Sequence, residues 1–272
     1  MASLHRYSDT MDFYVKKDVY KNPMPSMHFH SAFEVYYLLK GERDYFIGDR
    51  FFKITDGDLI LIPPNTLHRT AGKGANRILL HFTEDFLLRY FSKELIERVL
   101  GEYEPRVYRV GRAEREGLEL ATSQMLALYA DTPEEDVDFA AVAFYLLEML
   151  FGLSKAKNNY VARSYSDQRI SRIVQYINEN YSKIASIEEI ADHFYISKYY
   201  LCRLFARDLG MPLVTYLNMV KVRAACVLIE REELSLTEIA LQCGFNSSSY
   251  FCKVFKAEMG ISPSAYRAQQ KS

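Results

Sequence analysis

Apolar and polar positions change their period once along this chain, and the change divides it. From about residue 26 to residue 82, apolar residues come in short runs rich in β-formers. These are FEVYYLL at 33–39, RDYFIG after a Gly-Glu turn, and DLILIP after Asp56-Gly57. Short runs broken by Gly, Asp and Pro turns predict a small antiparallel barrel or sandwich. From Glu84 the period turns helical. Phe86, Leu87, Tyr90 and Phe91 make one stripe, and Leu118, Ala121, Met125 and Leu128 a second. After the break at Asp131-Thr132-Pro133, Val137, Ala140, Ala141, Phe144 and Leu147 make a third. The pattern predicts a helical hairpin, 112–130 against 133–152. Its second helix is apolar nearly all round, so one side is expected on the barrel and another against a partner subunit.

Residues 154–168 are polar and aperiodic and read as a linker. Beyond it the pattern is helical, with segments predicted at 167–181, 186–193, 197–208, 212–230, 236–242, 247–258 and 263–269. Ser186 with Glu189, and Ser235 with Glu238, have capping-box spacing; Pro212 and Pro263 stand at helix starts, and Gly210 and Gly260 follow helix ends. The expected organisation is an α+β multidomain chain. An antiparallel-barrel domain is expected at 1–110, a helical dimerisation segment at 111–153, then a linker at 154–166 and an all-α domain at 167–272.

The all-α part contains a repeat. Ser197, Tyr200, Cys202, Phe205, Gly210 and Tyr216 recur 50 residues later as Ser247, Tyr250, Cys252, Phe255, Gly260 and Tyr266. Ile190-Ala191 recurs as Ile239-Ala240 at an offset of 49, so the second turn holds one more residue. Each unit is a short helix, a tight turn, and a second helix that opens on Ser, the outline of a helix-turn-helix. In the first unit Leu201, Leu204 and Phe205 share one face, with Tyr199, Cys202, Arg203 and Ala206 opposite. In the second, Phe251, Val254 and Phe255 are set against Ser249, Cys252, Lys253 and Lys256, with Ser248 a turn before Cys252. Small, polar and cationic side chains on an outward face suit the major groove. An ordinary solvated face would look the same on one helix, and the duplication is what argues against it.

Charge adds little to this. The net charge is −1, and residues from Asp167 onward carry 13 Lys and Arg against 11 Asp and Glu, only weakly basic for a nucleic-acid binder. The four cysteines lie late and form no C-x-x-C pair, as expected of reduced thiols rather than a zinc knuckle. The apolar stretch at 139–153 is interrupted by Glu148 and falls short of the ~20 residues of a membrane span. The first residues have no signal-peptide pattern. A cytoplasmic protein without membrane contact is expected.

The stretches IADHFYISKYYLCRLFARDLG from Ile190 and IALQCGFNSSSYFCKVFKAEMGISPSAYR from Ile239 resemble the AraC/XylS family of transcription regulators, across roughly residues 168–267. The resemblance implies seven helices in two subdomains, whose recognition helices enter adjacent major-groove segments. By position in the motif it puts Lys198, Tyr199, Cys202 and Arg203, then Ser248, Ser249, Cys252 and Lys253, at the DNA. Cys at both middle positions is a weak donor and departs from ready hydrogen-bond readout.

His28-x-His30-x-x-x-Glu34, six residues, then Gly41 has the spacing of the first cupin motif. Gly57, five residues, Pro63, then His68 resembles the second, except that Asn65 replaces its Gly and Gly72 its closing Asn. His28, His30, Glu34 and Tyr36 share parity, so on a continuous strand they would face one side. With His68 they form the expected effector pocket. No cofactor is expected, although three His and one Glu are a donor set for a transition metal. Tyr36, Tyr37, Tyr45 and Phe46 fit sugar stacking, an aromatic ligand or core packing equally well. The resulting expectation is a DNA-binding regulator, not an enzyme, controlled by a small molecule in a cupin-like domain. Its expected partners are double-stranded DNA, a second copy of itself and, if it activates, RNA polymerase. The alternatives are a metal-dependent cupin enzyme fused to a DNA-binding domain, and a regulator with no ligand at all.

Overall fold

The computed structural model describes residues 12–20, 27–72, 74–101, 106–130, 132–155, 168–231 and 234–270, which fall into two compact units, 12–155 and 168–270.

In the first unit the strands are β1 (Phe13–Tyr20), β2 (Phe33–Lys40), β3 (Glu42–Ile47), β4 (Arg50–Thr55), β5 (Asp58–Ile62), β6 (His68–Ala71), β7 (Ala75–Phe82) and β8 (Arg106–Arg109). They pair antiparallel in two sheets, ordered β1-β7-β2-β5-β8 and β4-β3-β6. Strand alternation divides the side chains of β2 between two cores. Tyr36 and Leu38 join Tyr45, Ile47, Phe52, Ile54, Ile60, Ile62 and Leu79 between the sheets. Phe33, Val35 and Tyr37 face the helices instead. β1 and β8 lie outside the 26–82 window in which strands were expected. The mixed sequences of both, FYVKKDVY and RVYR, carry too little apolar alternation to announce a strand.

Four helices cover the outer face of the larger sheet: α1 (Glu84–Leu88), α2 (Lys93–Leu100), α3 (Arg112–Tyr129) and α4 (Phe139–Lys155). The hairpin of α3 and α4 is present, and its buried Leu118, Ala121, Met125, Val142, Leu146 and Leu150 share one core with the sheet. The second helix starts later than expected. Glu134–Asp136 form a 3-10 turn after Pro133, and Asp138 Oδ1 accepts from Ala141 N–H at 3.0 Å, so Asp138 caps α4. α4 runs through Ser154 into Lys155, and the remainder of the expected linker, 156–166, lies outside the described residues.

The second unit has seven helices among its described residues: α5 (Gln168–Asn180), α6 (Ile187–His193), α7 (Lys198–Asp208), α8 (Leu213–Arg231), α9 (Leu236–Gln242), α10 (Ser248–Met259) and α11 (Pro263–Gln270). Ser186, Ser197, Ser235 and Ser247 each accept a backbone N–H three residues on, which sets four of these starts. The box at Ser235 and Glu238 is complete. At Ser186 the Glu189 carboxylate instead accepts from Ala185 N–H, one residue earlier than the motif requires. Among the described residues no single helix is long and apolar enough to cross a membrane.

Candidate effector cluster and nucleic-acid interface

Glu34 and Tyr36 lie on the inter-sheet face of β2, but His28 and His30 precede the strand, which begins at Phe33. The expected continuous strand from His28 to Tyr36 is therefore not what aligns them. His28 is held by a separate two-residue bridge, exchanging backbone hydrogen bonds with His68 at 3.1 and 2.9 Å. His30 is held by the turn before β6, where Asn65 N–H donates to the His30 carbonyl at 2.7 Å. Asn65 has a left-handed φ of 57°, the conformation that the pattern's glycine would supply. The departure at that position thus preserves the backbone.

His28, His30, Glu34 and His68 converge, with one ligand atom from each lying within 4.8 Å of the others. All four are buried. Tyr36 does not join them directly. Its ring packs edge-on against Tyr45 at 5.1 Å, and Tyr45 OH donates to Glu34 Oε1 at 3.1 Å. Arg77 lies over the Tyr36 ring at 5.4 Å and donates to Asp18 at 2.9 Å. Tyr37 faces away, toward the helices, where its hydroxyl donates to Glu119; burial and that carboxylate push it up to about 12. Tyr36, Tyr37, Tyr45 and Phe46 are all buried, which fits the packing role among those the sequence left open.

The donor set suits a cation. His30 Nδ1 and His68 Nδ1 each lie 2.8 Å from a backbone carbonyl, of Ala32 and Thr66. A carbonyl only accepts, so each Nδ1 carries its proton and each ring turns its Nε2 to the cluster, a lone pair whenever the ring is neutral. Those two Nε2 atoms stand 3.3 and 3.4 Å from Glu34 Oε2. Burial, opposed by the hydrogen bond to Glu34, pushes His30 down to about 4, so it is neutral near pH 7. Burial raises Glu34, but the surrounding histidines, His68 foremost and then His30 and His81, outweigh it and hold the carboxyl well below its ordinary range. An ionised carboxylate facing lone pairs is stabilised by a positive ion between them.

Two members of this region were not anticipated. His81 on β7 places Nε2 2.9 Å from Glu34 Oε2, and Arg43, fully buried, donates to the Gly72 carbonyl at 3.0 Å. The position of Gly72, where the cupin pattern closes on Asn, is thus used through its backbone. His81 lies beyond both motifs, and only the pairing of β7 with β2 could have found it.

On the second unit the helix faces divide as their periodicity predicts. Leu201, Leu204, Phe205, Phe251, Val254 and Phe255 are buried. Lys198, Tyr199, Arg203, Ser248, Ser249, Cys252 and Lys253 are exposed, and Cys202 is intermediate. Tyr199 is 87% exposed, which no packing role explains. Lys198 is not a lone cation: its Nζ donates to Glu188 at 2.6 Å. Arg203 lies over the Tyr200 ring at 5.9 Å. Lys221, on α8, ties the two halves by donating to the carbonyls of Ile184 at 3.2 Å and Gly244 at 2.7 Å. This buried lysine was not singled out from the sequence, because it sits in a helix whose apolar residues dominate the pattern.

Comparison with known proteins agrees with this division. A family model described as an AraC-like ligand binding domain matches residues 20–138, and one described as a helix-turn-helix domain matches residues 190–269. The uncharacterized HTH-type transcriptional regulator YfiF of Bacillus subtilis is 28% identical over 255 residues, 90% of this chain and 79% of that protein. The HTH-type transcriptional activator RhaR of Cronobacter sakazakii is 25% identical over 267 residues, covering 94% and 91%. Among solved structures, ToxT from Vibrio cholerae is 16% identical, covers 96% of this chain and 99% of that one, and has a TM-score of 0.39.

Proposed function

Because the chain belongs to the AraC/XylS family of DNA-binding transcription regulators, with a ligand-binding domain ahead of its helix-turn-helix domain, we propose that it reads an operator through α7 and α10 together under the control of a small molecule held at the His28, His30, Glu34 and His68 cluster. The observation that carries the reading of DNA is the division of faces on the two helices. Each buries its apolar stripe and leaves small, polar and cationic side chains outward at matching positions. The N-terminal part of a recognition helix meets base edges, and Arg203 and Lys253 can reach guanine O6 and N7 or a phosphate.

No covalent step is needed for this role. The effector acts through unequal affinity for two arrangements of the dimer. His28, His30, His68 and Glu34 would hold a transition metal, and a bound metal would supply a Lewis-acidic grip on an oxygen-bearing effector. The homodimer is supported by the outward stripe of α4, where Phe144 is 59% and Phe151 36% exposed. The name of RhaR, a transcriptional activator, supports activation; as an activator the protein would act on RNA polymerase, in the cytoplasm.

Arg203→Ala tests the reading of DNA. It is expected to cost about 1–3 kcal/mol in specific binding and to relax preference at one base position. Unchanged affinity and preference in a gel-shift titration would remove α7 from the interface. For the sensor, thermal-shift screening of the full chain with sugars, aromatic acids and metals should find a ligand that also changes operator affinity. Turnover of such a ligand would favour the cupin-enzyme alternative.

A further inference from the structure

The turns of the two helix-turn-helix units share one backbone path. Ile196 N–H donates to the Ala191 carbonyl at 3.0 Å, and Phe245 N–H donates to the Ala240 carbonyl at 2.9 Å, each partner 49 residues on. The residue before each donor lies in the left-handed region. In the second unit it is Gly244, at φ 75°, and in the first it is Tyr195, at φ 54°. The glycine has two reasons to be there, since a Cβ at Gly244 would come within 2.3 Å of the Ser182 carbonyl oxygen. The side chain of Tyr195 has room, but the strain of the left-handed region on a bulky L-residue is still borne.

The backbone bonds that close the turn, from Ile196 N–H to Ala191 and from Tyr195 N–H to the Asp192 carbonyl at 3.1 Å, offset part of that strain, and side-chain packing offsets none of it. Tyr195 is 96% exposed, and its side chain makes no hydrogen bond or ring contact with the described residues. It stands two residues before Ser197, the cap of α7, and Tyr199 in the first turn of that helix is 87% exposed as well. Backbone strain of this kind clusters at binding sites, and the Tyr195 side chain is presented to solvent there. Turn residues ahead of a recognition helix run beside the sugar-phosphate backbone bordering the groove, and a tyrosine hydroxyl is a common phosphate donor.

We propose that Tyr195 is a DNA-backbone contact, its phenol hydroxyl donating to a phosphate oxygen beside the major-groove segment that α7 enters. This rests on the reading of α7 as a recognition helix. The contact orients the first unit on the duplex and carries no base preference of its own. The second unit, with glycine at the matching position, lacks it.

The experiment uses the full chain, a duplex selected by the wild-type protein from a random-sequence pool, and an unselected duplex from the same pool. Tyr195→Gly removes the side chain and relieves the backbone, so its thermal midpoint should rise while its Kd for both duplexes rises about tenfold or more, the loss of one hydrogen bond to a charged group. Tyr195→Phe should weaken both duplexes to a similar degree without the gain in midpoint. The slope of log K against log salt should stay at the wild-type value in both variants, because a phenol releases no counterion. Wild-type affinity in Tyr195→Gly overturns the proposal, and so does wild-type affinity in Tyr195→Phe, which would leave the hydroxyl without a role. Arg203→Ala, run in parallel, separates the two layers. If it loses base preference while the Tyr195 variants bind normally, only the present proposal falls. If Arg203→Ala binds as wild type, the reading of α7 falls and takes the proposal with it.

Discussion

Glu34 on β2 and His81 on β7 are direct register partners, and His81 Nε2 stands 2.9 Å from Glu34 Oε2. A carboxylate only accepts, so His81 donates, and it does so to the same oxygen that His30 and His68 approach at 3.3 and 3.4 Å. His81 therefore fixes where the one carboxylate of the cluster points. Groups in this relation to a metal ligand typically change affinity about 10- to 100-fold when removed. His81→Leu is expected to weaken retention of Zn or Ni by about tenfold or more in competition with a chromophoric chelator, and His81→Gln, which keeps a donor, to recover part of it. His28→Ala with His30→Ala should abolish retention. Equal metal affinity in wild type and His81→Leu would show that His81 does not position Glu34 for an ion.

The cluster also shows how far the sequence could be read. Motif spacing brought His28, His30, Glu34 and His68 together in advance, since spacing of this kind reflects fixed turns between paired strands. It could not supply His81, whose position depends on which strand pairs with β2 across 47 residues of chain. The parity argument grouped His28, His30 and Glu34, which do converge, but by a wrong route, since His28 and His30 arrive through a bridge and a turn rather than along β2, and it included Tyr36, which packs on Tyr45 instead. In the second unit local signals decide nearly everything. Serine caps and prolines set the helix starts, so their positions were legible to within a residue or two. Lys221 and the left-handed Tyr195 were not, because one depends on a distant carbonyl and the other on a backbone angle that residue type disfavours.

The four thiols should separate into two pairs. Cys226 and Cys243 are buried, while Cys252 is exposed and Cys202 partly so, both on the faces assigned to DNA. Thiolate access governs alkylation. N-ethylmaleimide on the native protein is expected to modify Cys202 and Cys252 and to spare the other two, as read by peptide mass spectrometry. Operator DNA should protect the reactive pair, and prior alkylation should weaken binding. Equal labelling with and without DNA would place these faces outside the interface.

Assembly should depend on α4. Val142, Ala143, Leu146, Met149 and Leu150 are spent on the core, and the outward stripe at Phe144 and Phe151 is what remains for a second copy. A charge there would be desolvated in a dimer and solvated in a monomer, so Phe144→Glu is expected to shift self-association toward monomer by light scattering while leaving the thermal midpoint nearly unchanged. Its affinity for a two-site operator should fall more than its affinity for a single site. A wild type that is monomeric at working concentration would remove the premise.

Alkaline stability should report the packing between the two helix-turn-helix units. Cys243 closes α9, is fully buried, and sits one residue before Gly244, whose carbonyl accepts from Lys221. Burial pushes its thiol up to about 11, against the lowering effect of nearby Lys221. An unfolded cysteine ionises near ~8.5, so between that pH and about 11 the folded state holds a proton the unfolded state has released. Stability from this group is complete below ~8.5 and declines as pH rises toward the folded value, by an amount on the order of 1–3 kcal/mol. Cys243→Ala removes the titration. The variant should be less stable than wild type at pH 7, through lost packing, yet lose less further stability between about pH 8 and pH 10 in urea titrations. Parallel losses for the two proteins across that range would mean that the Cys243 thiol is not held protonated by the fold.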